Sequence, residues 1–135
     1  MIYLDSCAIV KLLVPEGETN ALTGWLNDRA DEPVVTSMLA EIEVPRALRR
    51  MAPHRLGVVS GVLARIGRFE VDPPVRATAG AYVEPNLRSL DAIHLATADN
   101  LVASGKRLTA FVTYDKRLGT AAAEAGHTVV APGSD

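Results

Sequence analysis

The sequence predicts an α/β fold: one domain with a mostly parallel central sheet and helices on both faces. Three observations carry this. Short apolar runs alternate with longer stretches of helical period along the whole chain, the order expected when strands are joined by crossover helices. Of the residues, 48% are hydrophobic but only 4% aromatic, so the interior is built from Leu, Val, Ile and Ala, as in layered α/β proteins. The 135 residues suffice for one compact domain, residues 1–135, and no repeat, linker or low-complexity stretch divides it.

Ile2, Tyr3 and Leu4 read as a short buried strand. Asp5 and Ser6 then cap a helix through Val14, which Pro15, Glu16 and Gly17 break. Glu18 to Ala30 has the period of a second amphipathic helix, and Val34 to Thr36 that of a strand. Ser37 is placed to cap a third helix running to Met51, in which Pro45 predicts a kink. His54 to Gly67 is helical in pattern, Phe69 to Val71 a brief strand, and Pro74 opens a helix fading near Glu84, Pro85 and Asn86. Ser89 is placed to cap the clearest helix, whose apolar positions run from Leu90 through Ile93, Leu95 and Ala98 to Val102 and stop at Gly105. Ala110 to Tyr114 is a strand, Asp115 to Ala125 a helix ended by Gly126, and Thr128 to Val130 the last strand.

A formal charge of −2 and a pI near 5.9 exclude a protein that holds nucleic acid by a strongly basic surface, so any such contact is local. Cys7 is the single cysteine, which excludes an internal disulfide and predicts a reducing, cytoplasmic location. Asp5 and Lys11 interrupt the apolar N-terminus, and no run approaches the ~20 residues of a membrane span.

Ligands of open parallel sheets gather beyond the carboxyl ends of the strands. Asp5 and Asp115 both fall there, Asp91 lies in the first turn of its helix, and Glu43 joins them if its helix leans over the same edge. Singly, Asp5, Asp91 and Asp115 are each explained as helix caps or dipole partners, and Glu43 as a surface position. Together they repel: two unit charges about 4 Å apart cost roughly 4 kcal/mol at an effective dielectric near 20. A hard divalent cation removes that conflict, and ligation by oxygen alone points to Mg²⁺ or Mn²⁺. The third helix offers both Glu41 and Glu43, about 200° apart, on opposite borders of one apolar stripe, and geometry does not choose between them.

Four blocks are specific. Met1-Ile2-Tyr3-Leu4-Asp5-Ser6-Cys7-Ala8 with Lys11-Leu12, Ser37-Met38-Leu39-Ala40-Glu41-Ile42-Glu43-Val44-Pro45-Arg46-Ala47-Leu48, Leu90-Asp91-Ala92-Ile93-His94-Leu95-Ala96-Thr97-Ala98, and Val112-Thr113-Tyr114-Asp115-Lys116-Arg117-Leu118 resemble, in order, the motifs of PIN-domain nucleases, and in particular VapC-type toxins of bacterial toxin-antitoxin pairs. The resemblance implies a single PIN-like domain and a toxin that cleaves RNA. It implies Asp5, Glu43, Asp91 and Asp115 as catalytic residues and ligands of one or two Mg²⁺ or Mn²⁺ ions, with Glu41 left as a surface residue. It further implies a cognate VapB-type antitoxin and homodimerisation through helices. Cys7 departs from the family pattern, where a small hydroxyl residue is more usual, and a thiol is the weaker hydrogen-bond partner.

Ser6, Ser37 and Thr113 sit beside the acids, where their hydroxyls can orient a carboxylate or a metal-bound water. Arg46 and Arg50 at one border, and Lys116 and Arg117 at the other, are candidate phosphate contacts for RNA. His94, one turn from Asp91, ranks below the acids because a lone helical histidine is more often packed, and Asp99, some 12 Å along the helix, ranks lower still. Two other functions fit the acids less well. A phosphatase using Asp5 as nucleophile wants a second Asp where Cys7 stands, and a catalytically silent binding module gains nothing from clustered carboxylates.

Overall fold

Successive side chains of a strand point to opposite faces, and the first strand is apolar at every position, so both faces need a cover. In the computed structural model, which describes residues 1–134, each face has its own. The described residues form β1 (Ile2–Leu4), β2 (Val34–Ser37), β3 (Gly67–Phe69), β4 (Ala110–Val112) and β5 (Val129–Val130), all parallel, in the order β3-β2-β1-β4-β5. The α-helices are α1 (Ser6–Leu13), α2 (Thr19–Asn27), α3 (Ala40–Met51), α4 (Val59–Leu63), α5 (Pro73–Ala81), α6 (Ser89–Ala103) and α7 (Lys116–Glu124). Ile2, Leu4, Ala110 and Val112 pack on one face against Ile9 and Leu13 of α1, Leu22 of α2 and Val44 and Leu48 of α3. Tyr3, Val35 and Phe111 pack on the other against Leu95, Ala98 and Leu101 of α6 and Leu118 and Ala122 of α7. α5 lies outside, against α6. No helix among the described residues is long and apolar enough to cross a membrane.

Several boundaries differ from the sequence reading, each for a physical reason. The segment expected to be helical over 54–67 divides into a 3₁₀ turn, Pro53–Val58, and the short α4, with Gly57 and Gly61 inside it. The third strand is Gly67–Phe69, not 69–71, because its pairing with β2 puts Gly67 opposite Val35 and Phe69 opposite Ser37. A Cβ on Gly67 would sit 3.2 Å from Val35 Cγ1, so a side chain there would crowd the neighbouring strand. Ser37 is the last residue of β2 rather than a helix cap, and Ser89 is the first residue of α6, following Arg88. α3 runs continuously through Pro45.

Chain order reverses across β1, with β2 on one side and β4 on the other. At such a switch point the connections diverge to opposite faces and leave a crevice beyond the strand ends. Asp5 and Asp115 emerge from the two strands that flank it.

Candidate active site

Asp5 is the first residue after β1, and its amide still donates to the Val112 carbonyl of β4 at 3.2 Å. Its side chain then turns to cap α1: Oδ1 accepts from the Ala8 amide at 2.8 Å and Oδ2 from the Thr113 hydroxyl at 2.6 Å. It is only 3% exposed. Burial raises its pKa, and the Asp91 charge adds to this; the influence of His94 and the hydrogen bonds from Thr113 and Ala8 only partly offset the rise.

Asp115 caps α7, its Oδ1 accepting from the amides of Arg117 and Leu118 at 2.9 and 3.0 Å. Its own amide donates to the Thr113 hydroxyl at 3.1 Å. One hydroxyl on β4's extension thus ties together the two acids that flank the crevice. The side chain of Asp91, in the first turn of α6, makes no hydrogen bond among the described residues. Burial raises its pKa, and the charges of Asp115 and Glu43 reinforce the effect.

Glu43 reaches the same end of the sheet from α3. Its Oε1 accepts from the Ser6 hydroxyl at 2.7 Å and lies 2.9 Å from His94 Nε2. Burial alone would raise its pKa; the hydrogen bonds from His94 and Ser6 outweigh burial and hold it below the usual range. Glu41 instead faces outward and pairs with Arg68 at 2.8 Å, both side chains well exposed. The structure therefore separates the two glutamates that helical geometry alone left equivalent.

The four acids share one neighbourhood, seen most directly at Cys7. This residue is exposed, yet the surrounding protein strips water from its sulfur, and Asp5, Glu43, Asp91 and Asp115 all add negative potential, pushing the thiol up to about 12. Among the described residues no three His, Cys, Asp or Glu side chains stand close enough to enclose a metal ion as placed. The donor chemistry nevertheless fits a hard divalent cation: every donor is a carboxylate oxygen. Glu43 and Asp115 each keep one oxygen out of the hydrogen bonds that fix the other.

Of the other expected residues, Ser6 and Thr113 do orient carboxylates. Ser37 does not: it is fully buried, and its oxygen accepts from the Leu39 amide at 3.1 Å in a local turn. Arg50 lines a groove of about 460 Å³ with Ser6, Cys7, Lys11, Glu43 and Asp115. Arg46 is exposed beside it and gives its carbonyl to Arg50 at 3.3 Å. Lys116 and Arg117 are exposed on the far side of Asp115 and line a second groove of about 380 Å³. Asp99 lies apart from the acids, bound to Tyr82 and to His127. The residue the sequence undervalued is His94, which is 2% exposed and touches Glu43, Ser6 and Tyr3.

A five-stranded parallel sheet whose switch point opens beside acids drawn from four segments defines an α/β protein with an acidic crevice beyond its strand ends. Comparison with known proteins agrees. The PIN domain family model matches residues 2–124. The chain is 53% identical over 133 residues to Ribonuclease VapC35 of Mycobacterium tuberculosis, covering 98% of each. Among solved structures, Mycobacterium tuberculosis VapC20, described as a Sarcin-Ricin loop cleaving toxin, superposes with a TM-score of 0.71 at 19% identity over 98% of this chain and 100% of that one. A toxin-antitoxin complex from Klebsiella pneumoniae gives 0.70 at 21% identity over 98% of each chain. The chain belongs to the PIN-domain family, among its VapC-type ribonucleases.

Proposed function

We propose that this protein is a metal-dependent endoribonuclease that acts as the toxin of a toxin-antitoxin pair. What supports the reading is that Thr113 joins Asp5 to Asp115 and that Ser6 and His94 hold Glu43 at the carboxyl end of the sheet, with Asp91 adding its charge to theirs. These four residues are the ones that would hold one or two Mg²⁺ or Mn²⁺ ions. Such an ion, when bound, supplies a nucleophile from water at neutral pH and steadies the charge on the leaving oxygen. The chain's own part is to hold the carboxylates in fixed attitudes through Thr113, Ser6 and the amides of Ala8, Arg117 and Leu118. Arg50 on one side and Lys116 and Arg117 on the other draw the RNA phosphates towards an otherwise repulsive acidic crevice.

Hydrolysis of this kind leaves 5′-phosphate and 3′-hydroxyl ends. Incubation of the purified chain with total RNA and Mn²⁺ is expected to yield discrete 5′-phosphorylated fragments, and EDTA to abolish them; undiminished cleavage in EDTA would sink the mechanism. The spacing of the acids as placed favours one other reading, a PIN fold that binds a partner and has no catalysis. Calorimetry separates the two, since the silent module binds no Mn²⁺ in the millimolar range.

The toxin role rests on the 53% identity to a VapC ribonuclease and on the likeness to a toxin-antitoxin complex. The expected partner is a VapB-type antitoxin that occludes the acidic crevice, with a homodimer as the assembled form and the cytoplasm as its location. Cleavage that persists when the product of the adjacent small gene is added in excess would count against this assignment.

A further inference from the structure

His94 bridges four elements. It rises from α6, its Nδ1 lies 2.7 Å from the Tyr3 hydroxyl on β1, and its Nε2 lies 3.1 Å from Ser6 Oγ on α1 and 2.9 Å from Glu43 Oε1 on α3. The partners fix its orientation from both ends. Ser6 Oγ donates to Glu43 Oε1 at 2.7 Å, so at Nε2 both neighbours present lone pairs, and Nε2 must carry the hydrogen. At the other end the wholly buried Tyr3 hydroxyl lies 2.7 Å from Nδ1 and holds the ring in this orientation.

We propose that His94 is a positioning residue of the ribonuclease site, held by Tyr3 with its Nε2–H directed at Glu43 so that it and Ser6 clamp one Glu43 oxygen and leave the other free for the metal. The inference rests on the ribonuclease reading above. It gives a reason for a polar ring in the core, where an aliphatic side chain packs at less cost in desolvation. It also links the strand that carries Asp5, the helix that carries Asp91 and the helix that carries Glu43 through one imidazole, so the three acids are held in mutual register. Ser6 alone cannot do this, because a single hydroxyl leaves the Glu43 carboxylate free to swing about the bond it accepts.

The test combines a spectroscopic signature with metal binding. In the metal-free wild type, ¹⁵N-resolved NMR of the histidine rings is expected to show His94 protonated at Nε2; an unprotonated Nε2 overturns the proposal. His94→Phe, which fills the cavity but offers no donor, is expected to weaken Mn²⁺ binding by calorimetry and to lower kcat, each by about 10–100-fold, with little change in KM for RNA. His94→Gln, whose amide can donate to Glu43, is expected to recover most of both losses. Tyr3→Phe keeps the ring packing and removes one hydroxyl, so it carries the test even if His94→Phe does not fold. It is expected to release the ring from its orientation towards Glu43 and weaken Mn²⁺ binding, and unchanged binding in the folded variant overturns the proposal. A wild type that cleaves RNA with Mn²⁺, beside a folded His94→Phe that binds and cleaves equally well, overturns the positioning role and leaves the ribonuclease reading intact. A wild type that neither binds Mn²⁺ nor cleaves overturns both.

Discussion

At the scale of single residues, Cys7 reports the field of the site without being one of its acids. Its thiol is pushed from 9.0 up to about 12, first by burial and then by the four carboxylates. Near pH 8 this cuts the thiolate about a thousandfold; a more basic thiolate is intrinsically more nucleophilic and recovers about twentyfold. Alkylation by iodoacetamide at pH 8 is therefore expected to run roughly fiftyfold slower than for free cysteine. Saturating Mg²⁺ neutralises the carboxylates but not the burial, so it should accelerate the reaction only in part. A thiol that reacts at the rate of free cysteine, indifferent to Mg²⁺, contradicts the convergence of the acids. The same scale shows what sequence conceals. Asp5, Asp91 and Asp115 are legible as acids at strand ends and helix starts, which are local features. His94 is not, because its partners lie 91, 88 and 51 residues away and nothing near it in the chain announces them. Glu43 is legible only by resemblance, since the choice over Glu41 depends on which side of α3 meets Ser6.

At the scale of elements, two of the acids have a second role that separates stability from activity. Asp5 and Asp115 are the N-caps of α1 and α7, each accepting a backbone amide hydrogen. Asn caps a helix about as well as Asp, whereas Ala costs about 1 kcal/mol. Asp115→Asn is thus expected to unfold within a few tenths of a kcal/mol of wild type, and Asp115→Ala about 1 kcal/mol sooner in urea. On the proposed mechanism both should lose more activity than the about 100-fold that removal of a ligand's supporting partner costs, because both would remove a ligand charge. Full activity in a well-folded Asp115→Asn would take Asp115 out of the ligand set. Element order and type were readable for most of the chain because helical period, caps and breakers are all local signals. The misplacements occur where a long-range contact decides. Gly67 enters β3 because it fits against Val35, and Ser37 ends β2 because Phe69 pairs with it; neither is visible in a window of neighbouring residues.

At the scale of the whole molecule, the crevice sets acid stability and metal binding against each other. Asp5 and Asp91 have folded pKa values above their ordinary 3.8, so the folded chain binds their protons more readily than the unfolded chain does. Their contribution to stability is fully present below 3.8 and is lost as pH rises through the raised folded values. Glu43 runs the other way: its folded pKa lies below 4.5, so its contribution is present above that value and lost as pH falls through the lowered one. At neutral pH the fold therefore carries unfavourable charge on Asp5 and Asp91, which a divalent cation bound as proposed would relieve. Binding at a hundredfold excess over Kd adds about 2.7 kcal/mol, and for a chain of this size about 4 °C of melting temperature per kcal/mol. Mn²⁺ is thus expected to raise Tm at pH 7.5 by about 10 °C, and by progressively less as pH falls towards 4 and protons take the cation's place. The double variant Asp5→Asn and Asp91→Asn carries neither charge, so it should melt above the metal-free wild type at pH 7.5 and show no response to Mn²⁺. Differential scanning calorimetry of the two proteins, with and without Mn²⁺ at both pH values, decides the matter: an equal rise in the double variant places the ion somewhere other than this crevice.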